Sequence, residues 1–137
     1  MTPKKAAPPK PITLVLVDDH GVVRQGTREM LNRSPYFLVV GEAASGEDLA
    51  GLLKLKQPDL LLLDINLPNQ NGLQLLEALK PEFPNLKIVL FSAHSDLQYI
   101  RKAQSLKVEG FLSKTIDESA LQDALKQAFS GVNLPVL

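Results

Sequence analysis

The run from Leu60 to Asp64, "LLLLD" in the sequence, leaves few folds open. Four consecutive leucines have no polar face, whether read at the strand period or the helix period. A strand of this kind must be covered on both sides, as happens inside a parallel sheet with helices packed above and below it. Asp64 then closes the run with a charge that such a strand cannot hold in its interior.

The rest of the chain supplies the neighbours that this strand requires. Ile12–Val17 is strand-like, and Val22, Val23, Gly26, Met30 and Leu31 follow it at helical spacing. Phe37–Val40 is a second strand, after which Ser45 opens a helix through Leu49, Leu52 and Leu53. Beyond the leucine strand, Leu73, Leu76 and Leu79 mark a helix that Pro81 ends, and "KIVLF" is the fourth strand. Ser95 with Gln98 and Thr115 with Glu118 fit the capping box that opens a helix. A fifth strand lies between them, at Glu109–Leu112. Leu121, Ala124, Leu125, Ala128 and Phe129 form the stripe of a last helix, which Gly131 stops. Five strands alternating with five helices predict a doubly wound α/β domain.

Composition narrows the setting. A chain of 137 residues with 45% hydrophobic content predicts one domain with a real core. No apolar run is long enough to span a bilayer, so no membrane partner is expected. The absence of cysteine excludes disulfides and thiolate metal sites and fits a reducing cytoplasm. Residues 1–11, with four prolines and three lysines, predict a disordered tail, and residues 12–131 the folded domain. After the tail there remain 12 bases against 15 acids, a net charge of −3 that suits nucleic acid poorly.

In an open α/β sheet, ligands bind beyond the carboxyl ends of the strands, where the strand order reverses. The polar residues ending strands are Asp18 and Asp19, Asp64, Ser92 and Lys114, and the topology gathers them at one edge. Each alone has a plain explanation: a turn with a helix cap for Asp18–Asp19, a turn before Asn66 and Pro68 for Asp64, a strand end for Ser92, a solvated surface lysine for Lys114. Together they are harder to dismiss. Three carboxylates in one crevice repel and call for a cation unless they stay partly protonated, and oxygen-only ligands suit a hard divalent ion such as magnesium. Lys114 adds a second positive centre and Ser92 a hydroxyl, so that a phosphoryl group can be held while Asp64 attacks as nucleophile. His20 and His94 are expected beside the site rather than as ligands, and Phe111 is most simply a core residue.

With these residues in place, "VLVDDHGVVRQG", "LLLLDINLPNQNGLQLLEALK", "IVLFSAH" and "VEGFLSK" resemble the receiver domain of bacterial two-component response regulators. "DDH", "DINLP" and "SAH" resemble its LuxR/NarL-type branch, over about residues 12–130. The resemblance implies a flavodoxin-like (βα)5 fold with a parallel sheet in the order 2-1-3-4-5. It implies that Asp64 accepts a phosphoryl group from a histidine kinase or a phosphotransfer protein. Asp18, Asp19, Asp64 and the backbone carbonyl of Asn66 are then the ligands of Mg2+, with Asp18 acting through water. Ser92 and Lys114 hold the phosphoryl oxygens, and Ser92 with Phe111 forms the switch. It implies a signalling protein that catalyses only its own phosphorylation and dephosphorylation, and a homodimer through the first and last helices. Transcription is then controlled through a C-terminal helix-turn-helix domain, with residues 132–137 beginning the linker and DNA met only through that domain.

The chain departs from the family at "SLKVEG", where a small alanine/glycine run is usual before the fifth strand and Leu106 and Lys107 stand instead. Three rival functions are expected to fail on particular residues or on a particular test. A phosphatase of the haloacid-dehalogenase type needs an acid two residues after its nucleophile, where Asn66 stands. A nucleotide or flavin binder needs glycines after the first strand, where "DDHGVV" stands. A receiver used only for docking differs in taking up no phosphoryl group.

Overall fold

The computed structural model describes residues 10–67, 71–92 and 97–131, with the side chains of 97–99 left out. Most of the expected tail, the expected linker, Pro68, His94 and the Ser95–Gln98 capping box lie outside the described residues and side chains. The elements alternate throughout: β1 (Ile12–Val17), α1 (Gly21–Asn32), β2 (Phe37–Ala43), α2 (Leu49–Lys56), β3 (Leu60–Asp64), α3 (Gly72–Glu82), β4 (Lys87–Ser92), α4 (Leu97–Ser105), β5 (Gly110–Ser113) and α5 (Glu118–Phe129). All strand pairs are parallel, in the order β2-β1-β3-β4-β5.

The four leucines of β3 divide between two cores, as a strand covered on both faces must. Leu60 and Leu62 pack with Leu14, Leu16, Leu31 and Leu121 beneath α1 and α5. Leu61 and Leu63 pack with Val15, Leu53, Leu76 and Ile100 beneath α2, α3 and α4. Burying a leucine contributes about 1.5–3 kcal/mol, so this one strand anchors both layers.

Two contacts fix how the strands line up. At the amino end of the sheet, the Asp59 carboxylate accepts from the Thr13 backbone N–H (2.9 Å) and hydroxyl (3.1 Å). The Asp59 carbonyl accepts from the Lys87 N–H (3.2 Å), so one residue joins the starts of β1, β3 and β4. Between β1 and β2 the register jumps from Leu14↔Val39 to Val15↔Gly41, which leaves Val40 as a bulge. A bulge reverses the faces of the residues beyond it. Glu42 therefore sits beside Leu16 and turns toward α1.

Several boundaries differ from the sequence expectations, each for a local reason. In α1 the buried positions are Thr27 and Leu31, while Val22 is 85% exposed and Val23 also faces solvent. β2 runs on to Ala43 because its last three residues stay paired with β1 past the bulge. Ser45 makes only a local turn, accepting from the Glu47 N–H, and α2 starts after Asp48, which is left-handed at φ 58°. Pro81 lies inside the last turn of α3 and does not end it. Thr115 pairs with Ser113, and the side chain that caps α5 is Asp117, which accepts from the Ala120 N–H. Glu109 is not in β5, since its carboxylate accepts from the Ile88 N–H at the start of β4. Phe129 is partly exposed rather than core. At the "SLKVEG" departure, Lys107 is left-handed (φ 59°) at the end of α4, a position that favours glycine.

Candidate phosphoryl and metal site

The carboxyl ends of β1, β3, β4 and β5 bring Asp18, Asp64, Ser92 and Lys114 together, and Asp19 joins them from the loop after β1. Asp18, Asp64 and Ser92 are buried, although all three are polar. Such burial requires partners. Lys114, whose side chain is 11% exposed, places Nζ 2.7 Å from Asp64 Oδ2 and 2.9 Å from Asp18 Oδ2. Its backbone N–H is held by the Ser92 carbonyl (2.9 Å), which aims the lysine across the end of β4. Burial alone lowers the Lys114 pKa. The hydrogen bond to Asp64 and the negative charges of Asp64 and Asp18 outweigh this and raise it above its usual value.

The remaining polar contacts orient the acids. Asp64 Oδ1 accepts from the Asn66 N–H (2.9 Å), and Asp18 Oδ1 accepts from the His20 N–H (2.9 Å). The turn expected as the plain reading of Asp18 is therefore real and coexists with the cluster. The Asn66 side-chain amide donates to the Ser92 hydroxyl (3.1 Å), tying the loop after Asp64 to β4. Close packing places this loop as well. A Cβ on Gly72, at the start of α3, would come within 2.6 Å of the Ile65 backbone, one residue from Asp64.

One cation does not satisfy three carboxylates. Asp18 Oδ2 and Asp19 Oδ1 are buried without a directed hydrogen bond. The nearby Lys114 Nζ and His20 Nδ1 (3.1 Å from Asp19 Oδ1) lie within ion-pair distance but off the line of a hydrogen bond. Ligand atoms from Asp18, Asp19, His20 and Asp64 all fall within 4.8 Å of one another. Buried carboxylate oxygens left with ion-pair contacts alone, and with hard-ligand chemistry, fit a divalent cation. His20 stands beside the acids as expected, with Nδ1 also within reach of the same ligand cluster, which nothing in its spacing discloses.

Phe111 lies apart from these polar groups. It is 5% exposed and packs in the core beneath α2, α3 and α4, with Leu90 opposite it on β4.

A family model described as response regulator receiver domain matches residues 14–126. The chain belongs to that family. This receiver is 36% identical over 122 residues to the nitrate/nitrite response regulator protein NarL of Escherichia coli (strain K12), covering 89% of this chain and 56% of that protein. It is 33% identical over 120 residues to the transcriptional regulatory protein DegU of Brevibacillus brevis, covering 88% and 51%. Among solved structures, the signal receiver domain of the response regulator NarL from Mycobacterium tuberculosis superposes with a TM-score of 0.83 at 30% identity, covering 90% of this chain and 99% of that one. The chain is thus a receiver of the LuxR/NarL type, a signalling domain rather than a metabolic enzyme, and it spans about half the length of the curated relatives it matches. No helix among the described residues is long and apolar enough to cross a membrane.

Proposed function

We propose that this receiver takes a phosphoryl group from the phosphohistidine of a histidine kinase or phosphotransfer protein onto Asp64. The reading rests above all on Lys114 Nζ, 2.7 Å from a buried Asp64 that shares its crevice with two further acids. Asp18, Asp19, Asp64 and the Asn66 backbone carbonyl would hold Mg2+. When bound, the ion offsets the charge of the acids and of the phosphoryl oxygens. An Asp64 oxygen attacks phosphorus, forming the O–P bond as the P–N bond breaks, and the imidazole leaves with the electron pair. Lys114 moves its charge from the carboxylates toward the new phosphoryl oxygens, and the Ser92 hydroxyl, now held by Asn66, turns to donate to them. Asn66 carries no acid for ester hydrolysis, which argues against the phosphatase alternative.

The same reading assigns the output. Added charge beside Ser92 and Lys114 draws β4 and β5 toward the site, and the core around Phe111 repacks. Because Phe111 is already buried, the switch lies in how it packs against α4, not in whether it is covered. The exposed Val22 and Val23 of α1 offer an apolar surface to the phosphodonor or, with α5, to a second copy. Contact with DNA would belong to the part of the relatives' length that this chain does not span.

The test is incubation with acetyl phosphate and magnesium. A gain of one phosphoryl mass, absent in Asp64→Asn, is expected. No gain in the parent chain would leave a receiver used only for docking.

A further inference from the structure

Arg24 does not appear in the chemistry above, yet it is built into the site from behind. Its guanidinium Nη1 donates to the backbone carbonyl of Asp18 (2.5 Å), and its Nε donates to Glu42 Oε1 (3.1 Å). Arg28 holds the other Glu42 oxygen. Glu42 can serve as this anchor because the bulge at Val40 turns it toward α1. In the uninterrupted register it would sit beside Val17, on the opposite face of the sheet.

The geometry points to Arg24 as a positioning residue for the metal-binding acids, and for Asp19 in particular. The Asp18 carbonyl and the Asp19 N–H belong to one rigid peptide plane. Holding that carbonyl fixes the plane, which carries the Asp19 nitrogen and Cα and so narrows the space from which the Asp19 side chain can reach the site. The Asp18 N–H is already held by the Ala43 carbonyl (3.1 Å), so Arg24 supplies the missing constraint on the far side of the residue. The partly buried guanidinium, which can bond a carbonyl and a carboxylate at once, suits this task better than an ammonium. An ion pair that only held α1 against β2 would need no bond to Asp18. The inference rests on the proposed magnesium site and concerns how its ligands are aimed.

The test titrates magnesium into the 15N-labelled 137-residue chain and follows the His20 and Asn66 amides, with thermal midpoints measured in chelator. Arg24→Met should weaken magnesium binding about tenfold, the usual scale for groups that orient metal ligands. Arg24→Lys should recover only part of that loss, and Glu42→Gln should weaken binding less than Arg24→Met. If Arg24→Met lowers the chelator midpoint but binds magnesium as the parent does, Arg24 is only a structural tie and the inference is overturned. If Arg24→Met does not fold, Glu42→Gln decides, and parental affinity there overturns the inference too. A parent chain that binds no magnesium would instead bring down the metal reading itself, and this inference with it.

Discussion

Lys114 stands between Asp18 and Asp64 at ion-pair distance from both, and its removal strands two buried acids. Losing one partner of a buried pair costs far more than the pair contributes as a whole. Lys114→Met should therefore destabilise the metal-free domain by about 1–3 kcal/mol, and magnesium should restore more stability to the variant than to the parent. Urea unfolding in chelator and in magnesium measures both effects. The pH dependence has a definite sign. Because the folded state holds the Lys114 pKa above its ordinary 10.5, its contribution is complete below that value and is lost as pH rises through the raised one. The metal-free parent should lose this increment in alkali, and Lys114→Met should have none to lose. Asp64→Asn acts in the other direction. It relieves crowding among the acids while leaving Lys114 paired with Asp18, so the fold should hold and phosphoryl uptake should vanish. Uptake at the parental rate in that variant, read by intact mass, would remove Asp64 as the nucleophile.

Two elements owe their position to one residue each. Gly72 opens α3 against the Ile65 backbone, and Gly72→Ala must push α3 away from the loop that carries Asp64. A cost of about 1–3 kcal/mol is expected, because the obstacle is backbone rather than a flexible side chain. Asp117→Ala should cost about 1 kcal/mol through loss of the α5 cap, whereas Thr115→Ala should cost no more than a few tenths. Thermal or urea unfolding of the two variants separates the caps. This contrast shows what the sequence could disclose. The strands were legible because their apolar runs, and the polar residues that end most of them, carry a signal in the order of residues alone. The helix starts were not, since Thr115 and Asp117 are equally good capping residues and only the path of the chain chooses between them. The exposure of Val22 and the bulge at Val40 were equally hidden, because each depends on which neighbour the backbone meets. The site acids could be named from their strand ends, but the tie from Arg24 to the Asp18 carbonyl could not, because a backbone oxygen leaves no mark in a sequence.

At the scale of the whole molecule, the domain carries a charge conflict at one edge and two tightly packed cores behind it. Magnesium should raise the thermal midpoint, because binding the folded state alone adds about 2.7 kcal/mol of stability at a hundredfold excess over Kd. Asp19→Asn should lose most of that gain, and chelator should reverse it in the parent; an unchanged parental midpoint would argue against the site. The opposite edge of the sheet has a less obvious part in this. Thr13 and Asp59 are joined there, and each lies five residues before an acid of the site, Asp18 on one strand and Asp64 on the other. The two strands run side by side without slippage, from Leu14↔Leu60 to Val17↔Leu63. They work as a pair of gauges zeroed at a common mark, and the gap between the acids is set by counting. One residue added to either strand would advance its acid by about 3.3 Å and turn it to the other face. The tolerance of the chemistry is thus written into the equal lengths of two hydrophobic runs, far from any charge they deliver.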